Sequence, residues 1–169
     1  MLGFRTMAIG VLFVCTGNIC RSPMAAGVFR TLVRRAGMTD AFTIDSAGTY
    51  DGHVGAPASM LAVEAARLRG YDIDDHRARL LTNEDLLKFD LPLAMDRTHL
   101  AAMRWMAPRD RQDRPTLLMK FAPELGVEEV SDPYGGPARG YEEALNLIEV
   151  ACKGLLAGFV AEFKEAKSG

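Results

Sequence analysis

The stretch Ile9-Gly-Val-Leu-Phe-Val-Cys-Thr-Gly-Asn-Ile-Cys-Arg-Ser-Pro-Met24 decides the fold of this chain. Residues 11–14 are large or β-branched and do not alternate with polar residues, which is typical of a strand covered on both faces in a parallel sheet. A polar loop from Cys15 to Arg21 follows. Ser22 and Pro23 then open a helical pattern. The stretch predicts a buried strand, a tight loop and a helix N-terminus in direct succession.

Strand and helix patterns alternate along the rest of the chain. Helices are predicted over residues 22–36, 59–69, 82–88 and 141–164 and between Asp96 and Pro108, and further strands over residues 42–46, 91–95 and 116–121. In the second helix, Leu61, Ala65 and Leu68 are expected to face inward. This order predicts an α/β fold with an open four-stranded parallel sheet, helices on both faces in three layers, and a phosphate loop after the first strand.

Composition favours an ordinary single domain in a reducing compartment. Residues 1–7 are expected to be a short N-terminal extension, with Met7 as a possible alternative start, and residues 8–166 a single domain. The net charge of −2 gives no reason to expect nucleic acid or an anionic membrane as a partner. Three cysteines, an odd number, favour the cytoplasm. No apolar run approaches the length of a membrane span, and nothing in the sequence specifies an oligomeric state.

The loop after the first strand has the features of an anion site. Its backbone N–H groups can converge with the unpaired N–H groups of the first helical turn, and phosphate is the natural guest of such a site. Gly17 permits a positive φ, and Asn18 tolerates one. Cys15 would lie at the floor of the loop, where the amides and Arg21 favour the thiolate over the thiol.

The planar guanidinium of Arg21 can hold two oxygens of a phosphate group. A nucleophile and an oxyanion clamp within one loop indicate phosphoryl transfer through a phosphocysteine. A lone cysteine at this place would more often be a buried structural residue. No cofactor or metal is expected, because Cys15 and Cys20 do not have zinc-type spacing.

A phosphate ester also needs a proton for its leaving oxygen, and Asp132 is the best donor candidate. It lies directly before Pro133 in a turn-rich loop, so a simple turn aspartate is the alternative interpretation. Loops that follow parallel strands meet at one edge of the sheet. Ser46, Asp96 and the Asp132 loop are therefore expected to converge on Cys15.

The segment from Cys15 to Pro23 resembles the signature of the low-molecular-weight protein tyrosine phosphatases. The same order continues in Asp45-Ser-Ala-Gly48, His76, Ala78-Arg79, Met95-Asp96 and Asp132-Pro-Tyr134. The resemblance implies Cys15 as nucleophile, Arg21 as phosphate clamp and Asp132 as general acid. It implies a phosphate-binding or supporting role for Thr16, Gly17, Asn18, Ile19, Cys20, Ser22, Ser46 and His76. An ion pair between Asp45 and Arg79 and a reversible disulfide between Cys15 and Cys20 are also implied, while Cys152 is expected in the core.

The chain departs from this family at the rim of the pocket. Gly52 stands where bacterial members often carry Trp, and Gly135 replaces the second Tyr of Asp-Pro-Tyr-Tyr. Tyr50 and Tyr134 remain as rim candidates, with Tyr50 substituting from two positions away. The expected substrate is a phosphotyrosine protein or a small aryl phosphate, with weaker or broader aryl recognition.

Alternatives on the same scaffold remain open. An arsenate reductase would need two further cysteines near the third strand, and residues 78–95 contain none. An arginine phosphatase typically has Thr where this chain has Ile19. A weakly active anion-binding regulatory module is the non-enzymatic alternative, although such a module would need neither Cys15 nor Asp132.

Overall fold

A computed structural model describes residues 7–169, so all of the predicted N-terminal extension except Met7 lies outside the described residues. The strands are β1 Ile9–Cys15, β2 Phe42–Gly48, β3 Leu91–Ala94 and β4 Thr116–Leu117. The helices are α1 Arg21–Arg35, α2 Met60–Leu68, α3 Asn83–Lys88, α4 Arg97–Met106 and α5 Ala138–Ser168. Four short 3-10 turns, over Thr39–Ala41, Arg109–Arg111, Leu118–Phe121 and Pro123–Leu125, complete the regular structure.

The four strands form one parallel sheet in the order β2-β1-β3-β4. Phe13 in β1 is level with Ser46 in β2 and with Leu93 in β3. This register brings the carboxyl ends of the strands to one edge, where the predicted site residues follow them. The predicted open four-stranded parallel sheet is confirmed.

Alternate residues of β1 enter two separate cores, one on each face of the sheet. Val11 and Phe13 pack with α1, α2 and α5, whereas Leu12 and Val14 pack with α3 and α4. All four side chains are fully buried. Burial of each large apolar side chain contributes about 1.5–3 kcal/mol. The two cores give the predicted three layers and hold the end of β1 rigidly under the loop that follows it.

The fourth strand is shorter than predicted. Only Thr116 and Leu117 pair with β3, and residues 118–121 form a 3-10 turn instead of continuing the strand. Consecutive residues Leu118 and Met119 are both buried in the core shared with α5. A strand would have pointed them to opposite faces of the sheet, so burial of both on one side requires the turn.

The buried face of α2 is also shifted from the predicted one. Ala62, Ala65 and Ala66 are buried, whereas Leu68 is 66% exposed and Leu61 is partly exposed. The small alanines let α2 pack closely on α1 and α5. The prediction that Leu61 and Leu68 face inward is therefore wrong, and only Ala65 lies where expected.

Helix α5 is longer than predicted, with 31 residues. It is long and apolar enough to cross a membrane by length and composition alone, which the sequence-based expectation did not anticipate. One side of it, however, is buried in the core against α1 and α2, including Leu145, Ile148 and Leu155. This packing is that of a core helix in a globular domain.

Candidate active site

The loop between β1 and α1 curls at Asn18, whose φ of 56° makes it the only non-glycine residue with a positive φ among residues 7–169. Gly17 does not adopt a positive φ, so the expectation for that residue is wrong. A Cβ at Gly17 would lie 2.9 Å from the ring of His53, which would have to shift to make room. Helix α1 starts at Arg21, and no side chain of the described residues caps it. Its first N–H groups thus remain available to an anion.

Cys15 ends β1 at the floor of this loop and is buried. Its Sγ lies 3.0 Å from Oγ of Ser22. Oγ of Ser22 already accepts a hydrogen bond from the amide of Asn18 at 2.8 Å. The hydroxyl proton of Ser22 is therefore free to point at the sulfur, an arrangement that stabilises a thiolate.

Three further hydrogen bonds join Asn18 to residues outside the loop. Its amide donates to Oγ of Ser46 at 2.9 Å, and its side-chain oxygen accepts from the backbone N–H of Arg79 at 3.0 Å. Nε2 of His76 lies 2.6 Å from the carbonyl oxygen of Asn18. Burial lowers the pKa of His76, so the neutral ring donates this bond. Ser22, Ser46 and His76 thus contact the loop without lining the pocket.

An ion pair anchors the segment that carries His76. Arg79 lies 3.1 Å from the carboxylate of Asp45 and 2.9 Å from that of Asp85. Asp85 also forms a capping box with Thr82 at the start of α3. The expected contact between Asp45 and Arg79 is present, and Asp85 extends it to α3.

Arg21 is buried, and its guanidinium crosses the top of the loop. Nη1 donates to Oδ2 of Asp96 at 3.0 Å and to the carbonyl oxygen of Val130 at 2.9 Å. Nη2 lies 3.6 Å from Oδ2 of Asp132. Nε is buried and has no hydrogen-bond partner among the described residues. Nη1 is thus held by two hydrogen bonds within the protein, while Nε and Nη2 can serve a ligand.

Asp96 is placed by its role as the N-cap of α4. Its Oδ1 accepts hydrogen bonds from the backbone N–H groups of Thr98 and His99. Burial of the carboxylate disfavours its charge, but His99 and Arg21 outweigh that effect and hold the pKa of Asp96 below its ordinary value. Ser46, Asp96 and the Asp132 loop converge on the Cys15 loop, as the topology predicts.

A pocket of about 190 Å³ opens above Cys15. Its lining comprises Cys15, Thr16, Gly17, Ile19, Cys20, Arg21, Tyr50, His53, Asp132 and Tyr134. The carboxylate of Asp132 is half exposed at the mouth, and its Oδ1 accepts from the backbone N–H of Tyr134 at 3.1 Å. A sulfur nucleophile, a guanidinium and a carboxylate therefore share one small cavity, which suits nucleophilic displacement at a phosphate ester.

Residues 10–168 match the family model described as low molecular weight phosphotyrosine protein phosphatase. The chain belongs to this family. A low molecular weight protein-tyrosine-phosphatase of Streptomyces coelicolor is 42% identical over 154 residues, which are 89% of this chain and 93% of that protein. The predicted activity, that of a cysteine-based phosphatase, is confirmed at the level of the family.

Solved structures support the same assignment. The crystal structure of YfkJ from Bacillus subtilis superposes with a TM-score of 0.88 at 36% identity and covers 94% of this chain and 98% of that chain. Vibrio vulnificus Wzb in complex with benzylphosphonate superposes with a TM-score of 0.77 at 28% identity, covering 87% and 96% of the two chains. The predicted fold is that of this phosphatase family.

His53 is a pocket residue that the sequence analysis missed. Its ring lies between the two rim tyrosines, with centroids 6.0 Å from Tyr50 and 5.6 Å from Tyr134. A histidine in a polar, glycine-rich loop carries no signal of its own. Its adjacency to Gly52, where relatives in this phosphatase family often have an aromatic residue, was the only clue.

Cys20 is a free thiol, as are Cys15 and Cys152. Its Sγ lies 3.4 Å from Oγ of Ser59 and donates to the hydroxyl of Tyr141 at 3.6 Å. Burial raises the pKa of the Cys20 thiol, although the contacts with Ser59 and Tyr141 oppose the rise. The thiol form at neutral pH is a poor nucleophile, and a reversible disulfide with Cys15 stays a prediction for this phosphatase. Cys152 lies in the core, as expected.

Proposed function

We propose that this phosphatase hydrolyses aryl phosphomonoesters, phosphotyrosine among them, through a phosphocysteine on Cys15 and without a metal ion. The observation that carries the proposal is the hydroxyl of Ser22, 3.0 Å from the sulfur and positioned to donate to it. A structural cysteine would not need that donor.

In the first step, the phosphate group occupies the loop and Sγ of Cys15 attacks phosphorus. The bond from sulfur to phosphorus forms as the bond from phosphorus to the ester oxygen breaks. Asp132, at the mouth of the pocket, gives its proton to the departing oxygen. Nε and Nη2 of Arg21, together with the loop amides, stabilise the charge on the transferring group.

In the second step, Asp132 takes a proton from water, whose oxygen attacks phosphorus. The bond between sulfur and phosphorus breaks, so the Cys15 thiolate and inorganic phosphate are released. Arg21 and the loop amides supply the positive charge that a metal ion supplies in other phosphatases. Within residues 7–169, no three His, Cys, Asp or Glu side chains are grouped to hold a metal ion.

Aryl specificity is proposed to come from Tyr50, His53 and Tyr134 around the mouth. A Cβ on Gly52 would lie 2.1–2.3 Å from the ring of Tyr50, so this ring occupies the space that a side chain at position 52 would need. Gly135, with a φ of 78°, makes a turn and offers no second aromatic after Tyr134. The Wzb relative was solved in complex with benzylphosphonate, a phosphonate whose benzyl group carries an aromatic ring, which supports substrates with an aromatic group.

The proposal assigns the activity to residues 8–166 as a single domain in the cytoplasm, where thiols such as Cys15 stay reduced. Phosphorylated proteins or small aryl phosphates are its proposed partners, and neither nucleic acid nor a membrane is needed. An arsenate reductase is disfavoured because it would need two further cysteines near the third strand, where residues 78–95 contain none, and Cys152 lies in the core.

The test compares turnover of p-nitrophenyl phosphate by the wild type, Cys15→Ser, Ser22→Ala and Asp132→Ala, with and without EDTA. The wild type should be active and unaffected by EDTA, Cys15→Ser inactive but able to bind phosphate, and the other two strongly impaired. Unchanged turnover by Cys15→Ser would contradict the mechanism. Turnover that EDTA abolishes would contradict the metal-independent reaction. An inactive wild type that binds phosphate would favour a regulatory module.

A further inference from the structure

His99 lies on α4, outside the loop, yet it reaches the loop through the protein interior. Its side chain is 1% exposed. Its Nε2 lies 2.8 Å from Oγ1 of Thr16, the residue that directly follows Cys15. A buried histidine from another layer of the fold therefore contacts the phosphate loop beside the nucleophile.

The other nitrogen of His99 continues the contact toward the phosphate clamp. Nδ1 lies 3.2 Å from Oδ1 of Asp96 but makes no hydrogen bond among the described residues, whereas Oδ2 of Asp96 accepts from Nη1 of Arg21 at 3.0 Å. Nη2 of Arg21 in turn lies 3.5 Å from Oγ1 of Thr16. Thr16, Arg21, Asp96 and His99 thus form a closed ring of side chains, called here the loop ring.

The protonation state of His99 fixes the direction of its hydrogen bond with Thr16. Burial lowers the pKa of His99 to about 4 in spite of the neighbouring Asp96 carboxylate, so the ring is neutral near pH 7. A lone pair on Nδ1 would face a carboxylate oxygen and be repelled, so Nδ1 carries the proton. Nε2 is then an acceptor and takes the hydroxyl proton of Thr16. The oxygen of Thr16 presents only lone pairs to Arg21.

We propose that His99 is a positioning residue of the phosphatase reaction, which turns Thr16 into an acceptor for Arg21 and lies against Asp96, the carboxylate partner of the same guanidinium. The inference rests on the proposed roles of Cys15 and Arg21. With Nη1 and one side of Nη2 held by the loop ring, Nε and the rest of Nη2 are presented to phosphate without reorganisation. Such preorganisation matters most when charge spreads over the equatorial oxygens of the transferring group.

The expected signature is a loss in kcat that exceeds any change in KM. His99→Leu removes both contacts and Thr16→Val removes one, while His99→Gln keeps an acceptor near Thr16. Each variant is measured for kcat, KM and inhibition by inorganic phosphate and by vanadate, which forms a five-coordinate complex resembling the transition state. We expect His99→Leu to lower kcat about tenfold or more. We also expect it to weaken inhibition by vanadate more than inhibition by phosphate. His99→Gln should recover part of the loss.

A double-mutant cycle separates this role from a general loss of stability. If His99 acts through Thr16, adding Thr16→Val to His99→Leu changes kcat little further. Leu100→Ala is the matched control, because it removes partly buried packing from α4 outside the loop ring. That control should leave the ratio of vanadate to phosphate inhibition unchanged. Because Thr16 is exposed, the Thr16→Val variant should fold normally. This variant must lower kcat by itself if the proposal is correct.

The proposal is overturned by wild-type kcat in Thr16→Val. It is also overturned if losses in Thr16→Val and His99→Leu are additive, or if Leu100→Ala changes the inhibitor ratio as much as His99→Leu does. An active Cys15→Ser variant would instead remove the proposed catalytic mechanism, and this inference with it. The two failures are distinguishable, since Cys15→Ser tests the nucleophile and does not alter the loop ring.

Discussion

The carboxylate of Asp132 lies 3.6 Å from the guanidinium of Arg21 across the mouth of the pocket, Oδ2 to Nη2. The arginine side chain is 3% exposed and that of the aspartate is 51% exposed, so a fixed cation faces a carboxylate that solvent reaches. In the free enzyme the proposed general acid thus contacts Nη2 of Arg21, one of the donors that a phosphate dianion would use. Substrate binding must take this donor from Asp132.

Asp132→Asn should therefore bind inorganic phosphate more tightly than the wild type, because one negative charge beside the anion site is gone. Turnover should fall by about a hundredfold or more, since the amide can neither give a proton to the leaving oxygen nor take one from water. The loss should be larger for phenyl phosphate than for p-nitrophenyl phosphate, whose leaving group needs no proton. Inhibition constants for phosphate and kcat/KM for both esters, which reports the first step, check this. Weaker phosphate binding, or equal losses for the two esters, would contradict it.

Tyr50 should contribute to aryl recognition, and Gly52 should be required for its position. Tyr50→Ala should raise KM for a phosphotyrosine peptide by about threefold to tenfold, because one ring contact is lost, while Tyr50→Phe keeps it. Gly52→Ala introduces a Cβ where the ring now lies and should displace Tyr50, with a similar rise in KM. Wild-type KM in both Tyr50→Ala and Gly52→Ala would show that this ring does not contact the substrate.

The free energy of unfolding should decrease as the pH is lowered, over a range set by the pKa of His99. Its folded-state pKa of about 4 lies below the ordinary value of 6.5, so protonation favours unfolding. The free energy of unfolding is unaffected by this titration above pH 6.5. It decreases by about 3 kcal/mol as the pH falls from 6.5 toward 4. Arg21, Asp96, Asp132 and Glu129 are the charged groups near it.

Urea unfolding at several pH values checks this prediction. His76, whose pKa burial also lowers, adds a decline of the same sign in every variant that keeps it. His99→Gln is therefore the proper reference, since it removes only the titration of His99. Its stability should decline less steeply than that of the wild type across the same range. Parallel curves for the two proteins would contradict the buried neutral state of His99.

Two glycines of α5 should respond oppositely to alanine. A Cβ at Gly154 would lie 2.0 Å from the carbonyl oxygen of Phe121, so the 3-10 turn after β4 packs directly on this helix. Gly154→Ala should destabilise the fold by about 1–3 kcal/mol despite the better helix propensity of alanine. Gly158 meets nothing within 4 Å, so Gly158→Ala should be neutral or stabilising by up to about 1 kcal/mol. Equal effects in urea unfolding would refute the packing account.

The sequence was informative where one short segment carries both a structure and its chemistry. The span from Ile9 to Pro23 predicts strand, loop and helix start because its hydrophobic run, loop and helix opening are contiguous. Asp96 and Asp132 could be placed by topology, since loops after parallel strands share one sheet edge. Their roles, like those of the other site residues, remain predictions for the experiments above.

Other features depend on contacts that no local pattern records. His99 meets Thr16 across 83 positions of sequence, and its neighbours in the chain carry no motif. The early end of β4 follows from the burial of Leu118 and Met119 on one side, which requires knowledge of where α5 lies. The exposure of Leu61 and Leu68 depends on how close α2 can approach, because alanines pack more closely than leucines do.

The most direct test of the account is to find the covalent intermediate. Asp132→Ala, which should still be phosphorylated by p-nitrophenyl phosphate but hydrolyse the intermediate slowly, is mixed with this ester, quenched within milliseconds to seconds and analysed by peptide mass spectrometry. The account predicts one phosphate group on Cys15, a burst of p-nitrophenol matching the enzyme concentration, and neither in Cys15→Ser. Turnover without any phosphorylated cysteine, or a phosphate group on another residue, would contradict it.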